Sequence, residues 1–351
     1  MGAYRFSGIA DLFTLGGVDN EVLLSYENRK KLIDHQFVLH RQSFIRIESF
    51  EGSPAKVHTY DARYSMKYPI NEVMALRGSF LVRNDKFNYF SLGDITLPKR
   101  PTYDNYLGLR AEFIFDNTRN VMLNILNGLR GKVWVEYWRL IKNERRDLIT
   151  SGFDFRHYQK LHRQITWCNR IAGGNSLGTD RLLFYMGGVD NWFNAKFNNE
   201  INIVNPEEYK FQTLATNMRG FSQNIRNGNN FVVFNSELRF PIVKYFVDRP
   251  LRSDFLNNFQ FIAFGDIGAA WHGWNPLSKE NTENINTYVQ GSNLSPIIIE
   301  VINEKDPMVG GIGWGIRSRL YGYFVRLDIG YGIDNLKMQR RLIGLSFATD
   351  F

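Results

Sequence analysis

Along most of the chain, apolar and polar residues alternate with a period of two in runs of about ten residues, and no helical period intervenes. In 73–83, Met74, Leu76, Phe80 and Val82 fall on one side of an extended backbone, and Arg77, Ser79 and Arg83 on the other. In 106–116, Leu107, Leu109, Phe113 and Phe115 alternate with Arg110, Glu112 and Asp116. In 131–140, Val133, Val135 and Tyr137 alternate with Lys132 and Glu136. Segments 4–14, 21–32, 36–49, 56–70, 148–158 and 162–171 fit the same template, as do 310–320, 324–332 and 341–351. With two further strands described below, the pattern predicts about fourteen strands in one antiparallel sheet.

The connections alternate in length. Turns at Asn71-Glu72, 157–162 and Tyr321-Gly322 are short, whereas 85–104, 172–228 and 272–309 are long; Gly16-Gly17-Val18-Asp19-Asn20 turns the first strand into the second. The inner side of most strands carries Arg, Glu or Asp. A dry core holds that many charges only at great cost, so a soluble sandwich is disfavoured and a watery lumen is favoured. Strands that alternate lipid-facing and lumen-facing residues give a transmembrane β-barrel, with short turns periplasmic and long connections extracellular.

Composition adds exclusions. No apolar run approaches the ~18 residues of a spanning helix. The net charge of +8 comes from Lys and Arg scattered one or two at a time, so nucleic acid is not expected as a partner. One cysteine, Cys168, permits no internal disulfide, and the six histidines show no metal-ligand spacing.

The stretch 172–228 is far longer than an ordinary loop, and its Gly, Asn and aromatic content favours a folded plug. It ends in Asn217-Met218-Arg219-Gly220-Phe221. A strand follows in which Phe234, Leu238 and Phe240 oppose Asn235, Glu237 and Arg239. A second strand sets Phe261, Ala263, Ile267 and Trp271 against Gln260 and Asp266, within Phe264-Gly265-Asp266-Ile267-Gly268. Paired, these two strands can offer Glu237 and Asp266 on one polar surface to Arg219. A guanidinium forks two carboxylates and keeps its charge, which Lys cannot match.

On that triple the chain resembles the BamA-type outer-membrane barrels, the bacterial surface antigen family of assembly and secretion transporters. The runs GGVDNWFNAKF and TLATNMRGFSQNIRNGNNFVVFNSELRFPI are most similar to its Bacteroidota branch, often fused behind a TolB-like propeller. The resemblance is clear from about Tyr60 to Phe351. It implies that loop 172–228 folds into the lumen, with Met218, Arg219, Gly220 and Phe221 as its tip and Glu237 and Asp266 as the acids that catch Arg219. Gly265 and Gly268 belong to the accompanying strand motif. The terminal strand, with Gly344, Leu345, Phe347 and Phe351, is similar to the C-terminal signal of such barrels. Family barrels have sixteen strands, about two more than are legible here.

Implied also are an outer-membrane location and a non-enzymatic role in inserting outer-membrane proteins or moving polypeptides. Partners would be outer-membrane lipid, unfolded polypeptide clients and periplasmic or lipoprotein accessory subunits; no cofactor, metal or catalytic group is implied. The N-terminus lacks a signal peptide's pattern, so upstream sequence with the export signal and any periplasmic domain is expected. A porin-like channel and a membrane anchor for a fused propeller stay open as alternatives. The triple itself could pin the loop or take part in transport.

Two motifs carry no catalysis. Gly174-Asn175-Ser176-Leu177-Gly178 fits a nucleophile elbow but lacks the following helix. Gly311, Gly313 and Gly315 read instead as thin inward strand positions that let a loop approach. The pentapeptide GGVDN, at 16–20 and 187–191, reads as repeated turn chemistry.

Overall fold

The computed structural model describes residues 4–11, 18–47, 54–89, 100–142, 146–205, 208–247, 249, 252–292 and 295–347. An antiparallel sheet runs in chain order through β1 (Tyr4–Asp11), β2 (Val18–Asn28), β3 (Asp34–Ile47), β4 (Pro54–Pro69), β5 (Met74–Tyr89) and β6 (Thr102–Asp116). A short β7 (Arg119–Met122) leads into β8 (Ile125–Leu140), β9 (Asp147–His162) and β10 (Ile165–Gly178). The segment that follows leaves the wall and forms its own three-stranded sheet: β11 (Arg181–Met186) pairs parallel with β12 (Tyr209–Leu214) and antiparallel with β13 (Arg226–Gly228).

The wall resumes at β14 (Asn230–Phe240), which pairs with β10. Two short helices, α1 (Ile242–Phe246) and α2 (Asp254–Asn257), lead to β15 (Gln260–Trp271). Then come α3 (Lys279–Thr282) and a separate hairpin of β16 (Glu283–Ser292) and β17 (Ser295–Glu304). The wall ends with β18 (Met308–Leu320), β19 (Tyr323–Asp334), the two-residue β20 (Lys337–Met338) and β21 (Leu342–Phe347). Of the sixteen strands in this sheet, β7 and β20 are short extensions, which leaves fourteen wall strands among the described residues.

The period-two pattern sorts side chains by face. Leu76 is 50% exposed and Leu109 60%, and Phe80, Val135, Phe234, Leu238 and Ile267 are also exposed on the outer surface. The inner face carries Glu112, Asp154, Arg170, Glu237, Arg239, Arg317 and Arg326, all buried. An apolar exterior around a charged interior is the inverse of a soluble domain, and it suits a wall that faces hydrocarbon.

The segment between β10 and β14 makes the charged interior buried rather than open. On one side, Phe211 of β12 meets Tyr106 of β6 at 5.3 Å between ring centroids and lies under the Arg83 guanidinium at 4.3 Å. Beside it Lys210 pairs with Asp104 at 2.9 Å. On the other side the same segment packs on β18, β19 and β21, at the far end of the strand order. One segment touches both β5 and β6 and the distant β18, β19 and β21 because the sheet curls around it.

Several expected boundaries shift. β9 runs through His162, so the turn lies at Arg163-Gln164 rather than across 157–162, with Arg163 at φ 48°. β10 continues to Gly178 because 172–178 stays paired with β9, and 172–175 also with β14, which places the Gly174–Gly178 motif inside a strand. The stretch 172–228 is not without strands: its pairing is partly parallel and joins residues far apart, which alternation cannot reveal. Connection 272–309 likewise contains the β16–β17 hairpin. The first GGVDN turn at Gly16-Gly17, the centre of 85–104 and Phe351 lie outside the described residues.

Phe211→Ala should leave a cavity between Tyr106, Arg83 and Leu182 and lower unfolding free energy by about 3–5 kcal/mol. Urea titration of the folded chain in detergent micelles measures it. An unchanged midpoint would show that this side of the segment is not packed on the wall.

Candidate functional site

The tip reaches the inner face of β14 and β15, where a pairing of residue 237 with 264 and 235 with 266 sets Glu237 and Asp266 side by side. Arg219 Nε donates to Asp266 Oδ2 at 2.7 Å and Nη2 to Asp266 Oδ1 at 2.5 Å. Its backbone N–H also donates to Asp266 Oδ2, at 3.0 Å, and Nη1 donates to Glu237 Oε1. The guanidinium carbon stands 3.9 Å from the centroid of the Phe264 ring. Arg219 is 3% exposed, Glu237 1% and Asp266 5%. The three residues marked in the sequence meet in one buried contact.

Glu237 has two more cationic partners. Arg239 Nε donates to Oε2 at 2.8 Å, and Arg317 of β18 donates through Nη2 to Oε1 at 2.6 Å and through Nη1 to Oε2 at 3.1 Å. Arg326 and Asp328 of β19 extend the cluster, 3.4 Å apart. Four guanidiniums therefore face three carboxylates in a buried space. Inward parity marks Arg239, Arg317, Arg326 and Asp328 in the sequence. Their convergence needs the register across β14, β15, β18 and β19, which alternation does not give.

The tip lies on a floor of glycines. Gly220 adopts φ +91°, and a Cβ there would come within 2.8 Å of the Gly332 nitrogen. A Cβ on Gly330 would meet Gly220 N at 2.7 Å; one on Gly311 would strike the Arg219 carbonyl, and one on Gly332 the Phe221 ring. Gly313 and Gly315 are also inward, but the atoms closest to them belong to Ile329, Phe264 and Asp328 of the wall. Met218 and Phe221 are buried with Met186, Ile225 and Val309 in an apolar cluster that holds the tip from behind. Gly268 faces inward, where a Cβ would lie 3.0 Å from Met186 Sδ, so it makes room for β11. Gly265 faces outward with open space around it and takes no part in the site.

The second GGVDN is more than a turn. Gly188 N–H donates to the Phe221 carbonyl at 3.1 Å, and Met218 N–H donates to the Gly188 carbonyl at 2.9 Å. Asp190 N–H donates to Asn217 Oδ1 at 2.6 Å. This pentapeptide clasps the tip along its backbone, a role that its composition does not reveal.

Just beyond it, residues 191–193 reach the last wall strand. Phe193 N–H donates to the Leu345 carbonyl at 2.8 Å, and Asn191 Nδ2 donates to the Phe347 carbonyl at 3.1 Å. Trp192 bridges Ser346, and its Nε1 lies 3.4 Å from where a Cβ on Gly344 would stand. β19 occupies one edge of β21, and this segment lies on the other. Leu345 and Phe347 point away from the lumen, with Gly344 and Ser346 beneath Trp192.

Comparisons with solved structures place this fold among large outer-membrane barrels. BamA from Haemophilus ducreyi lacking POTRA domains 1–3 superposes with a TM-score of 0.55 at 13% identity, over 99% of this chain and 69% of that one. CdiB from Acinetobacter baumannii gives 0.52 at 13% identity over 93% of this chain and 49% of that one. CdiB from Escherichia coli gives 0.53 at 10% identity over 99% and 56%. The chain thus spans about half the length of the two CdiB chains. No family model matches the sequence, and no curated protein matches it. At these identities the likeness establishes the fold, an antiparallel β-barrel of the BamA and CdiB type.

Two substitutions separate the parts of the site. Glu237→Gln should destabilise the chain by about 3–5 kcal/mol, because three guanidiniums lose their shared carboxylate. Urea midpoints check this, and a change below ~1 kcal/mol would mean the cluster is open to water. Gly220→Val should free the tip, read as new protease cleavage within 187–222 in a chain otherwise resistant; an intact loop would contradict the glycine floor.

Proposed function

We propose that the chain sits in the bacterial outer membrane and assists the insertion of other barrel proteins or the passage of polypeptides, without covalent chemistry. The observation that carries this reading is the buried Arg219 tip, held by Glu237 and Asp266 inside a barrel of the BamA and CdiB type. On this reading the short turns face the periplasm and the long connections the outside. The clients are unfolded outer-membrane or secreted polypeptides, aided by membrane lipid and by periplasmic or lipoprotein subunits. The motif runs favour the Bacteroidota branch, in which a TolB-like propeller precedes the barrel.

The mechanism follows from backbone hydrogen bonding. Hydrocarbon satisfies no backbone N–H or C=O, so an inserting strand needs a partner edge. Among the described residues β1 pairs only with β2, and no ladder joins it to β21. On this reading the seam through which a client enters lies between the first and last strands. At β21 that seam is covered by 191–193, which use the same carbonyls that an added strand would use. Arg219 and the GGVDN clasp hold the loop, and with it this cover, in one state. Client engagement would displace the cover and expose the edge; a steady open pore does not suit a lumen filled by β11–β13 and the tip.

The reading is tested by tying the cover down. In a Cys168→Ser background, Trp192→Cys with Ser346→Cys places two cysteines on an antiparallel bridge, within disulfide reach. Vesicles containing the oxidised protein should fold an added urea-denatured barrel no faster than empty vesicles, and reductant should restore acceleration. Equal acceleration in both redox states would contradict the proposal.

A further inference from the structure

The other end of the lumen holds a feature that neither the loop nor the seam explains. At the short-turn end, β7 and the start of β8 form a tight hairpin, with Arg119 opposite Asn127 and Met122 opposite Ile125. Its tip is Leu123-Asn124, with Asn124 at φ 62°. In strand order β8 is separated from β14 by β9 and β10. The hairpin tip nevertheless touches β14 and β15. Arg239 Nη1 donates to the Asn124 carbonyl at 2.9 Å, Gln260 Nε2 to the Leu123 carbonyl at 2.7 Å, and Asn124 Nδ2 to Gln260 Oε1 at 3.2 Å.

To reach them the hairpin crosses inside β9 and β10. Leu126 packs on Tyr158 of β9 and Cys168 of β10, both inward and buried, and Ile125 is wholly buried. The bend sits where the hairpin leaves the wall. Gly128 adopts φ +122°, and a Cβ there would come within 2.9 Å of the Asn117 carbonyl. Asn117 Oδ1 accepts from Leu129 N at 2.7 Å across the same point. A solvated turn would need none of these contacts; this one is folded inward across β9 and β10 and bonded to β14 and β15.

The groups it meets belong to the tip's own anchor. Arg239, which holds Asn124, also donates to Glu237, and Glu237 accepts from Arg219. We infer that the β7–β8 hairpin is a second closure of the lumen, opposite the long loop and linked to it through Arg239 and Glu237. Arg219 from one end and Asn124 from the other meet at a single carboxylate and its guanidinium partner. Loosening the tip thereby loosens the hairpin. This holds whether or not the barrel moves polypeptides, so it stands apart from the functional proposal.

The chain supplies its own reporter. Cys168 is its single cysteine, 0% exposed, paired in register with Glu237 and packed by Leu126. A water-soluble maleimide should label it slowly in the wild-type chain folded in micelles. Leu126→Asp, which sets a charge against Tyr158 and Cys168, should raise the labelling rate about tenfold or more by favouring local opening. Replacing 119–127 by two glycines should do the same, and Arg219→Ala should raise the rate several-fold through the shared carboxylate. Unchanged rates in both hairpin variants, each with the gel mobility of a folded barrel, would overturn the closure. Faster labelling in those variants with no change in Arg219→Ala would overturn the link to the tip.

Discussion

The arrangement depends on one buried carboxylate. Glu237 accepts hydrogen bonds from Arg219, Arg239 and Arg317, which come from the loop, from its own strand and from β18. A carboxylate buried alone would take up a proton or unfold its surroundings; a guanidinium buried alone cannot shed its charge, so only the second outcome is open to it. Each group is tolerated because the others are present. Such clusters contribute little net stability compared with apolar packing, yet removing one member leaves the remainder uncompensated. Their effect is selective: the loop has one position in which every charge is matched, and few near it.

That selectivity explains why the site is built from glycines as well as charges. A guanidinium can fork Asp266 only if its backbone lies flat on β18 and β19, and side chains at Gly311, Gly330 or Gly332 would hold it away. The same close approach carries the GGVDN clasp and, through it, residues 191–193 to β21. A local ionic contact is thus joined by rigid backbone pairing to the outer edge of the last strand. The tip and the contact with β21 are two ends of one folded segment.

The wall was legible in the sequence, and its interior was not. Alternation assigned Leu109 outward and Glu112 inward because a half-buried strand leaves no third choice. It set Glu237 and Asp266 on inward faces, and the resemblance of the loop tip added Arg219. It could not show that Arg317 and Arg326 converge on the same acid, since that depends on register across four strands. Nor did it foresee the inward apolar residues. Leu81, Tyr106, Trp138 and Leu148 face the lumen, where a watery interior predicts polar groups, because Phe211 and Leu182 pack against them. The β7–β8 hairpin escaped for the same reason: Leu123 and Asn124 read as an ordinary turn, and only distant Arg239 and Gln260 make them otherwise.

The central claim is that Arg219 and Asp266 are energetically coupled in a dry lumen. A double-mutant cycle of Arg219→Met and Asp266→Asn on the free energy of unfolding in micelles measures that coupling. The account predicts an interaction energy of about 2 kcal/mol or more. Additive losses, with coupling below about 0.5 kcal/mol, would mean the two side chains do not depend on each other in the folded chain, and would contradict it.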